Sequence, residues 1–295
     1  MEDDFEQLRD QYEFGANVGR LSPNSRRELR AYQERLTAFI DIIGFAELVR
    51  RMKDDKSLQD RLLAALRKLA EQNTSATDVG MIGDKRVNCF SDSIVISYPY
   101  YHPGDFTYLL QDILLLTIEM ACLGFAIRGA ITMAPLHQTP GIVIGEALID
   151  AYFLERNVAR NPRVIASPGV MRIVHGVGED TSDALLEEWI EAGKQDARNS
   201  NGQWVGGFPN MQKDDDGHYF LDHLGATVCA LHSTTGNLDH LSSVRGMIVS
   251  QLDTLALPNS LTAEERAKRF QKWQWYRRYF NSAASRYGVA PVTLT

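Results

Sequence analysis

The chain has 295 residues, of which 44% are hydrophobic and 23% charged, and its formal net charge is −7. This composition is typical of a globular protein with a sizeable core. The negative charge argues against general binding to nucleic acid or to an anionic membrane, but it is compatible with a local basic pocket for a phosphorylated ligand. Three well-separated cysteines, Cys89, Cys122 and Cys229, are predicted to be reduced, which favours a cytoplasmic protein.

No membrane or export segment is predicted. The first fifteen residues are acidic and lack the apolar stretch of a signal peptide. The longest apolar run, 108–127, is interrupted by Gln111, Asp112 and Glu119, so it fits an amphipathic helix better than a membrane span. We therefore expect no membrane insertion.

Strands and helices alternate along the first half of the chain. An apolar strand, Leu36–Ile42, precedes a helix predicted from Ala46 to about Ala70. Two short β-branched runs, 86–90 and 93–100, are separated by little more than Ser91 and Asp92, which predicts a tight hairpin. The later predicted elements are a helix (106–123), a strand (125–132), a turn with Pro135, Pro140 and Gly141, a strand end leading into a helix (143–159), and a strand (162–167).

This order predicts an α+β fold with a ferredoxin-like βαββαβ core, in which helices pack on a mostly antiparallel sheet. Residues 1–30 are expected to form an N-terminal arm, 31–232 the main domain and 233–295 a helical extension. The segment near 181–212 is polar and is predicted to be a loop, followed by a late strand near 218–222.

The tail mixes basic and aromatic residues, which would also suit a nucleic-acid or membrane surface. Its apolar residues nevertheless fall on one helical stripe, which favours packing on the body or on a second subunit: Phe270, Trp273, Phe280 and Ala284. Thr262 and Glu265 fit a capping box at the start of the last helix.

Two acids are predicted to meet at one end of the sheet. Asp41 ends the first strand and is followed at once by Gly44 and a helix, whereas Asp92 lies at the hairpin tip beside that strand. Two close carboxylates repel unless they are protonated or bridged by a cation. Ligation by few carboxylates suits Mg²⁺ or Mn²⁺, with a substrate's phosphates completing the shell, and the helix start beyond Gly44 favours an anion. The alternative is that Asp41 is a helix N-cap and Asp92 a turn residue.

Four segments together resemble the class III nucleotidyl cyclases. The segments FIDIIGFAEL (39–48) and FSDSIVIS (90–97) are similar to the first and second metal motifs of that family. The segments at 128–136 and 145–167 follow its order and spacing, and the latter is most similar to the pyrimidine cyclases of Pycsar antiphage systems. The resemblance covers roughly 35–167, with a weaker continuation to about residue 224.

The resemblance implies that a nucleoside triphosphate is converted to its 3′,5′-cyclic monophosphate and pyrophosphate. It implies two divalent cations, Mn²⁺ or Mg²⁺, held by Asp41 and Asp92 with the carbonyl of Ile42 as a further ligand. The Phe45 ring would lie against the ribose. The phosphates would be held by the amides of three consecutive residues, Ile43, Gly44 and Phe45.

Three departures from the family's purine cyclases imply a base other than adenine. Asn88 stands in place of the base-reading lysine four residues before the second metal acid, and Ile142 replaces its partner acid. The family's transition-state Asn and Arg align with Ile149 and Phe153. Asn88 would then read the base and Ile142 would form an apolar wall. An amide suits either pyrimidine, so UTP and CTP remain open.

Two cations are candidates for binding phosphate. Arg128 lies on a strand expected beside the metal strands, and a guanidinium can bind two phosphate oxygens. The alternative is a salt bridge on the face of the sheet. Lys213, expected in the loop before the late strand, matches the family's lysine for the terminal phosphate, and the alternative is a solvated lysine.

A homodimer with two composite active sites follows from the resemblance, because class III sites lie between two catalytic domains and this chain has one. The expected product is cyclic UMP or cyclic CMP, a second messenger in antiphage defence that a separate effector detects. The alternatives are a purine cyclase with altered base contacts, a degenerate cyclase-fold module that binds a nucleotide and signals through its dimer, and a structural ferredoxin-like protein.

Overall fold

The computed structural model describes residues 32–71, 85–101, 104–178, 180–182, 184–188, 190, 211–225, 234–257 and 261–293. Within these residues the protein has an α+β fold, in which helices pack on a mostly antiparallel sheet. The predicted N-terminal arm lies outside the described residues, and so does most of the polar segment predicted near 181–212.

Eight strands form one sheet in the order β2-β3-β1-β4-β6-β8-β7, with β5 paired to β4. Central strand β1 runs antiparallel to both β3 and β4, and β6 runs parallel to β4. The order of the first four strands is that of a ferredoxin-like βαββαβ core, as predicted. The strands are β1 (Gln33–Ile42), β2 (Arg86–Phe90), β3 (Ser93–Pro99), β4 (Ile127–Thr139), β5 (Ile142–Gly145), β6 (Val164–Ala166), β7 (Met211–Lys213) and β8 (Tyr219–Leu221).

The helices with defined bounds are α1 (Phe45–Met52), α2 (Lys56–Glu71), α3 (Gly104–Cys122), α4 (Glu146–Asn157), α5 (Pro168–Val174), α6 (Thr234–Ala256) and α7 (Ala263–Ala284), and a short 3₁₀ helix follows at Ser285–Tyr287. Residues 184–188 are helical as well, which corrects the loop predicted for that part of the chain. Among these helices, none combines the length and apolarity that a membrane crossing requires.

Two predicted boundaries are wrong. The single helix expected from Ala46 to Ala70 is divided into α1 and α2, because Asp55 accepts a hydrogen bond from the Leu58 amide (2.9 Å) and so starts a new helix. Strand β4 continues to Thr139, so Pro135 lies within a strand and not in the turn. On the side away from β1, strand β4 pairs with β6 only at 129–131 and with β5 only from residue 136. The N–H that Pro135 lacks therefore costs no hydrogen bond to a neighbouring strand on that side.

Both faces of the sheet are buried. The first core joins the β1 and β3 side chains Leu36, Ile40 and Ile94 to helices α2, α3 and α5. The second core joins Ile165 and Phe220 to helices α6 and α7. The predicted helical extension therefore packs on the body of its own chain.

Helix α7 is defined at its start and along its buried stripe. Thr262 Oγ1 accepts a hydrogen bond from the Glu265 amide (3.2 Å), and a Glu265 carboxylate oxygen accepts one from the Thr262 amide (2.9 Å), which confirms the capping box. Of the predicted stripe, Trp273, Phe280 and Ala284 are buried, whereas Phe270 is 40% exposed.

The β7–β8 turn anchors helix α7. Arg163, whose side chain is 1% exposed, forms ion pairs with Asp214 and Asp216 of this turn. The same guanidinium lies 5.5 Å from the ring centroid of Trp275 on α7, and Trp275 Nε1 donates to Asp214 Oδ2 (2.7 Å). One buried cation therefore connects the start of β6, the turn and the helix.

Candidate active site

Asp41, Asp92 and Arg128 lie together at one end of the central strands. In the sheet, Asp41 pairs with Ser93 of β3 on one side and with Arg128 of β4 on the other. The Asp41 and Asp92 carboxyls lie close enough for Asp92 to raise the pKa of Asp41. The β2–β3 turn that positions Asp92 is tight, since Ser91 has a φ of 59° and the Ile42 amide donates to the Asp92 carbonyl (3.2 Å). The structure thus brings the two acids together, as the sequence predicts.

Arg128 bridges two carboxylates. Its Nη2 atom lies 3.2 Å from Asp41 Oδ2, and its Nε atom lies 2.6 Å from Glu155 Oε1 on helix α4. The salt bridge that was the alternative interpretation of Arg128 is therefore present in this structure. Its predicted contact with phosphate remains a prediction, and the guanidinium stands directly beside the acid pair.

The Arg128 guanidinium offsets only part of the effects that raise the pKa of Asp41. Burial raises its pKa from 3.8 to about 7; the Arg128 guanidinium opposes this rise, while Asp92 and Glu155 add to it. Burial also raises the pKa of Glu155, against the lowering effect of Arg128. A carboxyl with a pKa of about 7 is partly protonated at neutral pH, and a bound cation would take the place of that proton.

The donor set suits a divalent cation provided that other ligands complete its shell. Asp41 and Asp92 offer carboxylate oxygens, and Ile42 lies at the end of β1 beside them. In the described part of the chain, no group of three or more His, Cys, Asp or Glu side chains is arranged to hold a metal ion. A cation at this pair would therefore take its remaining ligands from phosphates or water, as Mg²⁺ commonly does.

Two of the three predicted phosphate-binding amides remain suitable. The Ile43 amide donates to the Ala126 carbonyl (2.9 Å), so its predicted role is corrected. Gly44 caps α1 with a φ of 77°, and the first amides of a helix have no acceptor within it. Phe45 begins that helix, and its half-buried ring packs on the first core. Contact between the Phe45 ring and the ribose stays a prediction.

The Asn88 side chain is buried, and both its amide nitrogen and its amide oxygen already form hydrogen bonds. Asn88 is 5% exposed; its Nδ2 donates to the Thr139 carbonyl (2.9 Å) and its Oδ1 accepts from Gln138 Nε2 (2.9 Å). Ile142 pairs with Thr139 in the β4–β5 hairpin, so both predicted base-binding residues lie near this hairpin. Ile142 is 58% exposed. Base reading by Asn88 would require its present hydrogen bonds to be broken or shared.

Replacing Asn88 with alanine is expected to lower the free energy of unfolding by about 1–3 kcal/mol, because Gln138 and the Thr139 carbonyl lose their buried partner. Urea unfolding measures this, with the exposed amide variant Asn157→Ala as control. A role in base reading adds a roughly ten- to hundredfold loss of turnover with the preferred pyrimidine. A stability loss close to that of the control would contradict the structural role.

Lys213 is not brought to the acid pair within one chain. It is the last residue of strand β7 and not part of a loop, which corrects the prediction. Its ammonium forms an ion pair with Glu187 and lies 5.7 Å from the Tyr219 ring centroid. Strands β4, β6 and β8 separate β7 from β1, a span of roughly 20 Å at about 4.8 Å per strand. A phosphate contact by Lys213 would therefore have to be made across a subunit interface.

Sequence reasoning missed three charged residues near the acid pair. Glu155 follows the buried Ala147 and Ala151 at intervals of four on α4, a spacing that indicates a buried acid. Arg269 of α7 forms an ion pair with Glu47 of α1. Lys272, one turn further along α7, lies close enough to Asp41, Arg128 and Glu155 to interact with their charges. No local pattern connects the tail with this site.

Helix α4 and strand β5 carry several exposed apolar side chains. Ile149 and Phe153, which occupy the positions of the family's transition-state residues, are 53% and 56% exposed. The complete cluster is Ile142, Ile144, Ile149, Tyr152 and Phe153. We call this set the α4–β5 surface.

No protein-family model matches the chain, and no curated protein sequence matches it. The function is therefore argued from the geometry of the site and from the resemblance of its motifs.

Proposed function

We propose that the protein is a pyrimidine nucleotide cyclase, which converts UTP or CTP to the 3′,5′-cyclic monophosphate and pyrophosphate. The observation that carries the proposal is the pairing of Asp41 with Asp92 at the end of a ferredoxin-like sheet, directly before the glycine turn at Gly44. Burial and the nearby Asp92 and Glu155 carboxyls raise the pKa of Asp41, and divalent cations with their phosphate ligands would balance negative charge at this place.

Mn²⁺ or Mg²⁺ bound to Asp41 and Asp92 would lower the pKa of the ribose 3′-hydroxyl and neutralise the leaving pyrophosphate. The two carboxylates supply the oxygen ligands. Arg128, held by Glu155, would exchange its bond to Asp41 for bonds to phosphate oxygens, because a guanidinium can donate to two of them at once. The amides at the start of α1 would orient the phosphates.

The α4–β5 surface supports a homodimer. Large apolar side chains are exposed on two consecutive elements, and exposed apolar surface of this kind is typical of a protein–protein interface. A dimer would also supply groups, such as a lysine equivalent to Lys213, that one chain does not bring to its own acid pair. The composite site and the role of the product as a messenger in antiphage defence, detected by a separate effector, rest on the resemblance of the motifs.

The exposed Ile149 and Phe153 favour one competing function. Without the family's Asn and Arg at these positions, the chain would be a degenerate cyclase-fold module that binds a nucleotide and signals through its dimer. Retention of both acids at the sheet end argues for the enzyme.

Incubation of the pure protein with ATP, GTP, CTP and UTP separately, each with Mn²⁺, tests the proposal, with products identified by mass spectrometry. We expect cyclic UMP or cyclic CMP to dominate. Dominant cyclic AMP or cyclic GMP would identify a purine cyclase. Metal-dependent nucleotide binding without a cyclic product would indicate the degenerate module. Absence of any metal-dependent nucleotide binding would leave a structural protein.

A further inference from the structure

Helix α7 reaches the candidate active site from the far end of the chain. Its Arg269 is joined by an ion pair to Glu47, which lies in the first turn of α1 just beyond Gly44. Lys272 follows one turn later on the same helix. Helix α7 is fixed at its other side by Trp275, through the bond to Asp214. Two anchors, one on α1 and one on the β7–β8 turn, therefore flank the Lys272 segment.

Lys272 lies among charges from three other elements. The charges of Asp41 on β1, Arg128 on β4 and Glu155 on α4 all act on its half-buried ammonium. Within the described residues, no carboxylate forms a direct ion pair with Lys272, whereas Arg128 has two such partners and Arg269 has one. Burial and the Arg128 and Arg269 guanidinium groups lower the pKa of Lys272, while the Glu155 and Asp41 carboxylates oppose this change.

Binding of divalent cations would add positive charge to this set of groups. Asp41 would then serve the cations, and Arg128 would keep only Glu155 as a partner. The cations, Arg128 and Lys272 together would form a strongly positive site beside the start of α1. Such a site suits a compact polyanion with several oxygens, and the triphosphate of a nucleotide is a ligand of this class.

We propose that helix α7 supplies Lys272 as a polyphosphate ligand of the active site. The proposal rests on the proposed function for the identity of the nucleotide. It assigns to the C-terminal extension a role in binding substrate, in addition to its packing on the body. The positive charge that the family's motif places on α4, where this chain has Ile149 and Phe153, would come here from a different helix.

Binding of inorganic tripolyphosphate to the full chain, with and without Mn²⁺, tests the proposal by calorimetry. We expect Lys272→Met to weaken the affinity roughly tenfold to a hundredfold, the effect of losing one charge-assisted hydrogen bond. Lys272→Arg should retain most of the affinity. The matched control is Lys268→Met on the same helix, because Lys268 is 69% exposed and pairs with Glu264. That control should bind as the wild type does.

Unchanged tripolyphosphate affinity in Lys272→Met would overturn the inference, and so would an equal loss in Lys268→Met. The thermal unfolding midpoint of each variant verifies that it is folded, and Lys272→Gln repeats the test if the methionine variant aggregates. Loss of affinity in a protein that makes no cyclic nucleotide would support the anion site and overturn the cyclase. Normal cyclase kinetics in Lys272→Met would support the cyclase and overturn the anion site.

Discussion

Replacing Asp41 with asparagine is expected to lower the Mn²⁺-dependent turnover of the preferred nucleoside triphosphate at least about a thousandfold. Asparagine has nearly the same shape as aspartate but lacks the negative charge that would hold the proposed cations. Asp92→Asn should have a similar effect. Because both acids would serve the same cations in the proposed mechanism, the double variant should be little worse than either single one. Steady-state kinetics with saturating Mn²⁺ measure these rates.

The same variant should show a distinct dependence of stability on pH. Burial raises the pKa of Asp41 from 3.8 to about 7, so between these values the native protein binds more protons than the unfolded one. Stability contributed by this group is therefore greatest at low pH and is lost as the pH rises to about 7. Asparagine does not titrate, so Asp41→Asn should gain stability relative to the wild type over this range.

Urea unfolding at several pH values checks this difference, and Asp60→Asn is the matched control, since Asp60 is 62% exposed and pairs with Lys56. The control should change neither turnover nor the pH dependence. An Asp41→Asn protein that keeps a tenth or more of the wild-type turnover would remove Asp41 from the proposed mechanism. If the variant lost turnover because it is unfolded, urea unfolding at these pH values would not show the predicted gain in stability.

Replacing Arg163 with methionine is expected to lower the free energy of unfolding by about 3–5 kcal/mol. Methionine fills much of the space, but it leaves the largely buried Asp214 carboxylate without its cation. The contact between the guanidinium and the Trp275 ring is lost as well. Urea denaturation measures the change. A loss below about 1 kcal/mol would show that the buried ion pairs contribute little.

Asp216→Asn is the control for this prediction, because the Asp216 side chain is 45% exposed and water can replace its partner. Its effect should stay below about 1 kcal/mol. Because Arg163 anchors helix α7, the folded Arg163→Met protein should also bind tripolyphosphate more weakly than the Asp216→Asn protein. Equal tripolyphosphate binding by the two variants would show that the Arg163 anchor has no effect on the anion site.

Local patterns predicted the sheet end and its two acids. Apolar runs and turn residues are properties of neighbouring positions, so β1, the β2–β3 hairpin and the pairing of Asp41 with Asp92 follow from them. The α+β fold class follows from the order of the same elements. The two-helix division at Asp55 was missed because its apolar spacing continues across the break.

Features that depend on distant parts of the chain were not predictable in this way. The prediction ended β4 before Pro135 because a proline usually ends a strand. Pro135 is tolerated because β4 has no strand partner at that residue on the side away from β1. The position of Lys213 depends on the order of strands across the whole sheet. Lys272 comes close enough to interact with the charge of Asp41 only through the packing of α7, which no spacing in the sequence encodes.

The ion pair between Glu47 and Arg269 joins residues that are 222 positions apart. Contacts of such long sequence separation form late, since the chain must first close a large loop. During synthesis, Lys272 follows Arg128 by 272 − 128 = 144 residues, which takes roughly 7–30 s at about 5–20 residues per second. A nascent chain would therefore carry the acids before the lysine, and nucleotide consumption would begin only once the last helix has docked.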